Sequence, residues 1–137
     1  MKKIFMLTCG LIIFSVSTLA EETIKRPCAN GAGEIIEGTI TKTPYCISNN
    51  SMNWWNAYAW CDSLNMRLFD MNKDCAFQSD SSDRCPNLTG ITSTSGYYVW
   101  TQTVCADGTQ YIRAPESGNT LCLPRDISSY LALCVPK

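Results

Sequence analysis

Eight cysteines lie between Cys28 and Cys134, namely Cys28, Cys46, Cys61, Cys75, Cys85, Cys105, Cys122 and Cys134, with a ninth, Cys9, set apart near the start. An even set of thiols in a small exported chain reads as a disulfide framework, although eight thiols allow roughly a hundred pairings. Zinc ligation would call for C-x-x-C pairs, and the sequence contains none. The disulfide reading needs an oxidising destination, which the first residues supply. Lys2-Lys3 form a basic start, Ile4 to Val16 is mostly apolar, and Thr18-Leu19-Ala20 places small residues where signal peptidase cuts. A signal peptide over residues 1–20 is therefore expected, leaving residues 21–137 as one domain that is secreted or periplasmic. The apolar run is shorter than the roughly 20 residues of a membrane span, so no stable membrane insertion is expected.

Charge and composition exclude several classes. Without Lys2 and Lys3 the chain keeps nine basic against twelve acidic residues, a net charge near −3. No basic run marks a nucleic-acid or anionic-membrane partner. Histidine is absent, which removes the commonest general base and metal ligand. There is no G-x-S-x-G motif and no recognisable carboxylate dyad, so neither an enzyme nor a cofactor is expected.

Periodicity places one main helix. At 100° per residue Trp54, Ala57, Tyr58, Trp60, Cys61 and Leu64 share a broad arc, with Asn56, Ala59, Asp62 and Ser63 outside it. That arc is the expected core face. Ser51 or Asn53 can cap its start, and Asn65 suits the left-handed position just past its end. Strands are expected over 34–41, 43–48, 67–71, 96–104, 110–113 and 130–135, with Pro44 marking an edge or a strand start. Asp107-Gly108 is a hairpin turn signal. Residues 21–26 form a polar lead-in, and 72–95 is a long polar stretch in which Leu88 and Ile91 bury one turn of helix.

The spacing W-x-x-A-x-x-x-C-x-x-x-N-x-x-L, from Trp54 to Leu68, resembles the first-helix signature of C-type-lectin-like domains, where Gly usually stands at Asn65's position. Cys46 precedes Trp54 by eight residues, as the second cysteine of that family's N-terminal hairpin does, with Cys28 its partner. Leu131-Ala132-Leu133-Cys134 resembles the family's last strand, whose cysteine bonds the helix cysteine, here Cys61. Cys105 and Cys122 look like its inner pair across a sheet hairpin. The resemblance thus implies bridges 28–46, 61–134 and 105–122, leaving 75–85 as a local extra. It also implies an α+β fold of small antiparallel sheets with one main helix, stapled by disulfides.

Function within that resemblance turns on departures. Glu-Pro-Asn, Gln-Pro-Asp and Trp-Asn-Asp, which mark calcium-dependent sugar binding, are missing, and Ala114-Pro115-Glu116 reverses the order. Only sixteen residues separate Cys105 from Cys122, too few for a hairpin plus the long calcium loop. Arg67-Leu68 after the helix, with Tyr97-Tyr98-Val99-Trp100-Thr101, resembles compact bacterial versions that serve in binding or adhesion. A related subgroup holds formylglycine-generating enzymes, which are much larger than this chain.

Candidate chemistry is sparse. Asp70-x-Asn72-x-Asp74, with Asp80 and Asp83 following, matches the opening of a calcium loop. Cys75 and Ser81 stand where such a loop needs Gly and Glu, so a solvated, disulfide-tied acidic loop is expected instead. Trp55, at the margin of the buried arc beside Asp62, is a candidate contact for a sugar or protein. The resemblance implies a ligand face on the loops between the inner cysteines, which in this chain would offer Asp107, Gln110, Arg113, Glu116 and Asn119 next to Trp100 and Tyr111. Asn49-Asn50-Ser51 and Asn87-Leu88-Thr89 are sequons, meaningful only in a glycosylating host. These features point to an exported, non-catalytic, calcium-independent recognition module for a protein or glycan. The alternative is a structural or accessory subunit of an envelope or extracellular assembly.

Overall fold

The strand Leu131–Pro136 organises the molecule. In the computed structural model, which describes residues 26–29, 31–38, 40–75, 85, 88, 98–115 and 118–137, the elements follow in a fixed order. They are β1 (Arg26–Pro27), β2 (Gly33–Glu37), β3 (Pro44–Ser48), α1 (Trp54–Ser63), β4 (Met66–Leu68), α2 (Met71–Asp74), β5 (Val99–Ala106), β6 (Thr109–Arg113), β7 (Thr120–Pro124) and β8 (Leu131–Pro136). The expected signal peptide, Tyr97, Asp80, Asp83 and Glu116 lie outside the described residues. The fold is α+β. Its eight strands run β1-β2-β3-β8-β5-β6-β7, with β4 also paired to β8. One edge of β8 meets β3 (Ile47↔Leu133), while the other meets β4 (Arg67↔Val135) and, in parallel, β5 (Val99↔Leu131). The expected small antiparallel sheets are therefore joined through β8, and one of its pairings is parallel.

Burial follows from that position. A strand with neighbours on both edges and cover on both faces loses the polar alternation of an exposed sheet. Leu131, Leu133 and Val135 point into one core with Ile36, Tyr45, Ile47, Phe69 and Leu88. Ala132 and Cys134 point into the other with Ala57, Cys61, Leu68, Trp100 and Ile112. Each large side chain so buried contributes about 1.5–3 kcal/mol. Leu88 is buried as expected, while Ile91, expected beside it, lies outside the described residues.

Four disulfides tie the elements: Cys28–Cys46, Cys61–Cys134, Cys75–Cys85 and Cys105–Cys122. Cys46 and Cys134 are direct cross-strand partners, yet each bonds elsewhere, so two bridges lie side by side under α1. Gly33 makes room for them. A Cβ there would collide with the Ile47 carbonyl oxygen, approach Trp60 Cη2 to 2.9 Å and Cys28 Sγ to 3.1 Å.

Local chemistry sets the element ends. Asn53 caps α1, its side chain accepting from the Asn56 N–H at 2.9 Å. Asn65 follows the helix with φ 56°, the left-handed position expected of it. The strand expected over 67–71 stops at Leu68, because Asp70 Oδ1 accepts from the N–H groups of Asn72 (2.9 Å) and Lys73 (3.3 Å) and starts α2. β1 and β7 were not expected as strands. β7 turns the β5–β6 hairpin into three strands, with Tyr111↔Cys122 in register.

Candidate functional site

Helix α1 is too narrow to bury all its aromatic residues. Ala57 and Cys61 are fully buried against the sheet, but Tyr58, assigned to the core arc by periodicity, is 46% exposed and Trp55 is 56% exposed. The rings form a cluster at the start of the helix. Trp54 meets Trp55 edge-on at 4.8 Å between centroids and lies 5.5 Å from Tyr58. Such aromatic pairs contribute about 0.5–1.5 kcal/mol beyond their buried area.

Arg125, just past β7, completes the cluster. Its guanidinium carbon lies 5.1 Å from the Trp54 ring centre and 5.4 Å from that of Trp55. Stacking of this kind contributes about 0.5–1 kcal/mol at an exposed site. The Arg125 carbonyl accepts the Trp54 N–H at 3.0 Å, so one residue serves both the helix start and the ring cluster. Arg125 Nε and Nη2 donate to Gln110 Oε1 at 3.1 and 2.9 Å. Gln110 Nε2 in turn donates to the Thr101 carbonyl at 3.3 Å, which also accepts from Trp54 Nε1 at 2.9 Å. A closed circuit of contacts thus runs Trp54–Thr101–Gln110–Arg125 and back to Trp54. It fixes the platform on which Trp55 and Tyr58 face solvent.

The expected ligand residues are divided by the fold. Gln110 is fully buried and Arg113 is 2% exposed, which corrects their placement on a ligand face. Both lie on β6, an inner strand between β5 and β7, and Gln110 is enclosed by its partners Thr101 and Arg125. Gln110 acts as the positioning residue for Arg125, and burial pushes the Arg113 guanidinium down to about 10. Asp107 is exposed at the β5–β6 turn and Asn119 in the loop before β7. Glu116 lies outside the described residues.

The acidic motif is otherwise engaged. Asp70 caps α2, and Asp74 accepts from Arg67 Nη1 and Nη2 at 2.8 and 2.5 Å and from the Asp70 N–H at 2.8 Å. The Asp74 hydrogen bond raises the Arg67 pKa. Neither carboxylate presents the open oxygen set with which a calcium loop begins.

No family model, curated protein or solved structure matches the chain. Arg125 carries no signal in the sequence, because every partner that gives it a role is remote along the chain. Trp54-Trp55 did carry one, since Trp55, 100° on from Trp54, falls at the margin of the core arc.

Proposed function

We propose that this chain is an exported, non-catalytic recognition module of the C-type-lectin-like kind, binding a protein or glycan without calcium through Trp55, Tyr58 and Arg125. The observation that carries the proposal is Trp55, 56% exposed on a platform whose supporting side chains are fixed by the Arg125–Gln110 circuit. Large rings held rigid and left half in water are what binding hot spots are made of. The Cys61–Cys134 bridge, joining main helix to final strand, supports the family resemblance. Four disulfides suit an oxidising compartment, and among the described residues no helix is long and apolar enough to cross a membrane.

Glycan and surface-protein arrays, run with and without chelator, test the proposal. Binding should persist in chelator and fall at least about tenfold in Trp55→Ala, with the thermal transition retained. Silence on both arrays, or binding indifferent to Trp55, would overturn it. An accessory-subunit role is favoured by one observation. Among the described residues β7 is an unpaired sheet edge without a charged residue, and its Leu121 is 50% exposed. A strict monomer by size-exclusion chromatography at micromolar concentration would count against that second reading.

A further inference from the structure

Tyr58 belongs to two features at once. On one side it joins the aromatic cluster; on the other it lines a pocket of about 120 Å³ together with Asp62, Arg67, Lys73, Gln102 and Lys137. Trp54, Tyr58 and Asp62 recur every four residues and so follow one side of α1 over about 12 Å. The rings and the pocket are therefore consecutive parts of one strip.

The pocket wall holds three cationic side chains and one carboxylate, in a chain whose formal net charge is −1. Two of the cations are matched: Arg67 by Asp74, and Lys137 by Asp62 at 3.0 Å. Lys73 is not. Among the described residues its ammonium, the Tyr58 hydroxyl and the Gln102 amide make no hydrogen bond or ion pair. Three residues with donor side chains, one of them charged, thus border a space several times the roughly 30 Å³ of a water. A carboxylate or sulfate is acceptor-only and can take all three, with the short charge-assisted geometry that an ammonium favours. A neutral hydroxyl would leave the Lys73 charge unused.

We infer that the ligand of the strip is an acidic saccharide, its ring stacked on Trp55 and Tyr58 and its carboxylate or sulfate received by Lys73, Tyr58 and Gln102. This rests on the recognition function proposed above and specifies its ligand class. A sugar presents an apolar ring face and a polar edge together, which is the order in which the strip offers rings and donors. An acidic peptide would supply the anion, but the pocket's apolar wall is limited to Met66 and Leu68, while the flat, half-exposed Trp55 and Tyr58 rings suit a sugar's apolar face.

The test is titration of the purified protein, followed by tryptophan fluorescence and calorimetry. The probes are galacturonate and chondroitin sulfate oligomers, with neutral galactose oligomers of equal length and acidic peptides for comparison. Acidic saccharides should bind at least about fivefold tighter than neutral ones, an advantage that shrinks between roughly 0.05 and 0.5 M salt. Lys73→Gln should bring the ratio close to one and Lys73→Arg should restore it. Equal affinity for acidic and neutral oligomers, or a ratio that survives Lys73→Gln, would overturn the inference while Trp55-dependent binding still upheld the recognition role. Binding of acidic peptides in place of saccharides would do the same. Failure of every probe, with both arrays silent, would remove both.

Discussion

Removing the Cys61–Cys134 bridge, by the double substitution Cys61→Ala and Cys134→Ala, should be the most damaging loss of a disulfide in the chain. The bridge spans 73 residues, and loop-closure entropy alone assigns such a loop about 4.4 kcal/mol. Two further bridges, Cys75–Cys85 and Cys105–Cys122, lie inside that loop and shorten its effective length to roughly 46 residues, which lowers the figure to about 4.0 kcal/mol. Cys28–Cys46 is a built-in control. It spans 18 residues, about 3.2 kcal/mol on the same model, and its sulfurs sit in the same core, so the packing lost on Cys→Ala is comparable. Urea unfolding of both double variants should place the Cys61/Cys134 pair about 0.8 kcal/mol below the control. Its thermal midpoint should fall by roughly 15 °C from the parent. If the Cys61/Cys134 variant lost less than about 1.5 kcal/mol, or less than the control, the view of this bridge as the principal constraint on the unfolded chain would be refuted.

Three other outcomes follow from the structure. Gly33→Ala should cost at least about 2 kcal/mol in denaturant unfolding, since its methyl must displace the Ile47 carbonyl or the Trp60 ring. Parent-like stability would show that the two neighbours yield. At Asn65, where φ is 56°, Asn65→Gly should leave the melting temperature within a few degrees and Asn65→Val should cost about 1 kcal/mol or more. Equal stability of the two variants would contradict the left-handed helix end. Asp74→Asn, which leaves the Arg67 guanidinium without its carboxylate, should cost about 1–2 kcal/mol. A double-mutant cycle with Arg67→Met should recover most of that loss, and strict additivity would deny the pairing.

How much of this was legible in the sequence depended on the range of the forces involved. The limits of α1 were readable because Asn53 and Asn65 act on their own neighbours. The β5–β6 turn was readable for the same reason, with Gly108 at φ 73°. The parallel pairing of β5 with β8 was not, because no local residue records which distant strand will lie alongside. That blindness also misplaced Gln110 and Arg113. Their polar side chains suggest a surface, and only the addition of β7 makes their strand internal. Tyr58 failed in the opposite direction, since helical periodicity gives an apolar arc but not the width of the sheet that covers it. The platform followed the same division. Trp55 was a candidate from its position on the helix, while Arg125 emerged only through contacts with residues far away in the chain.

The placement of β8 imposes an order on biosynthesis. Because β3, β4 and β5 all precede the strand that gives them a common neighbour, a nascent polypeptide cannot join β1–β3, β4 and β5–β7 into one sheet until residues 131–136 have left the ribosome. Docking is then a set of distant closures, which slows it. A polypeptide delayed in this way stays threadable until its last strand arrives.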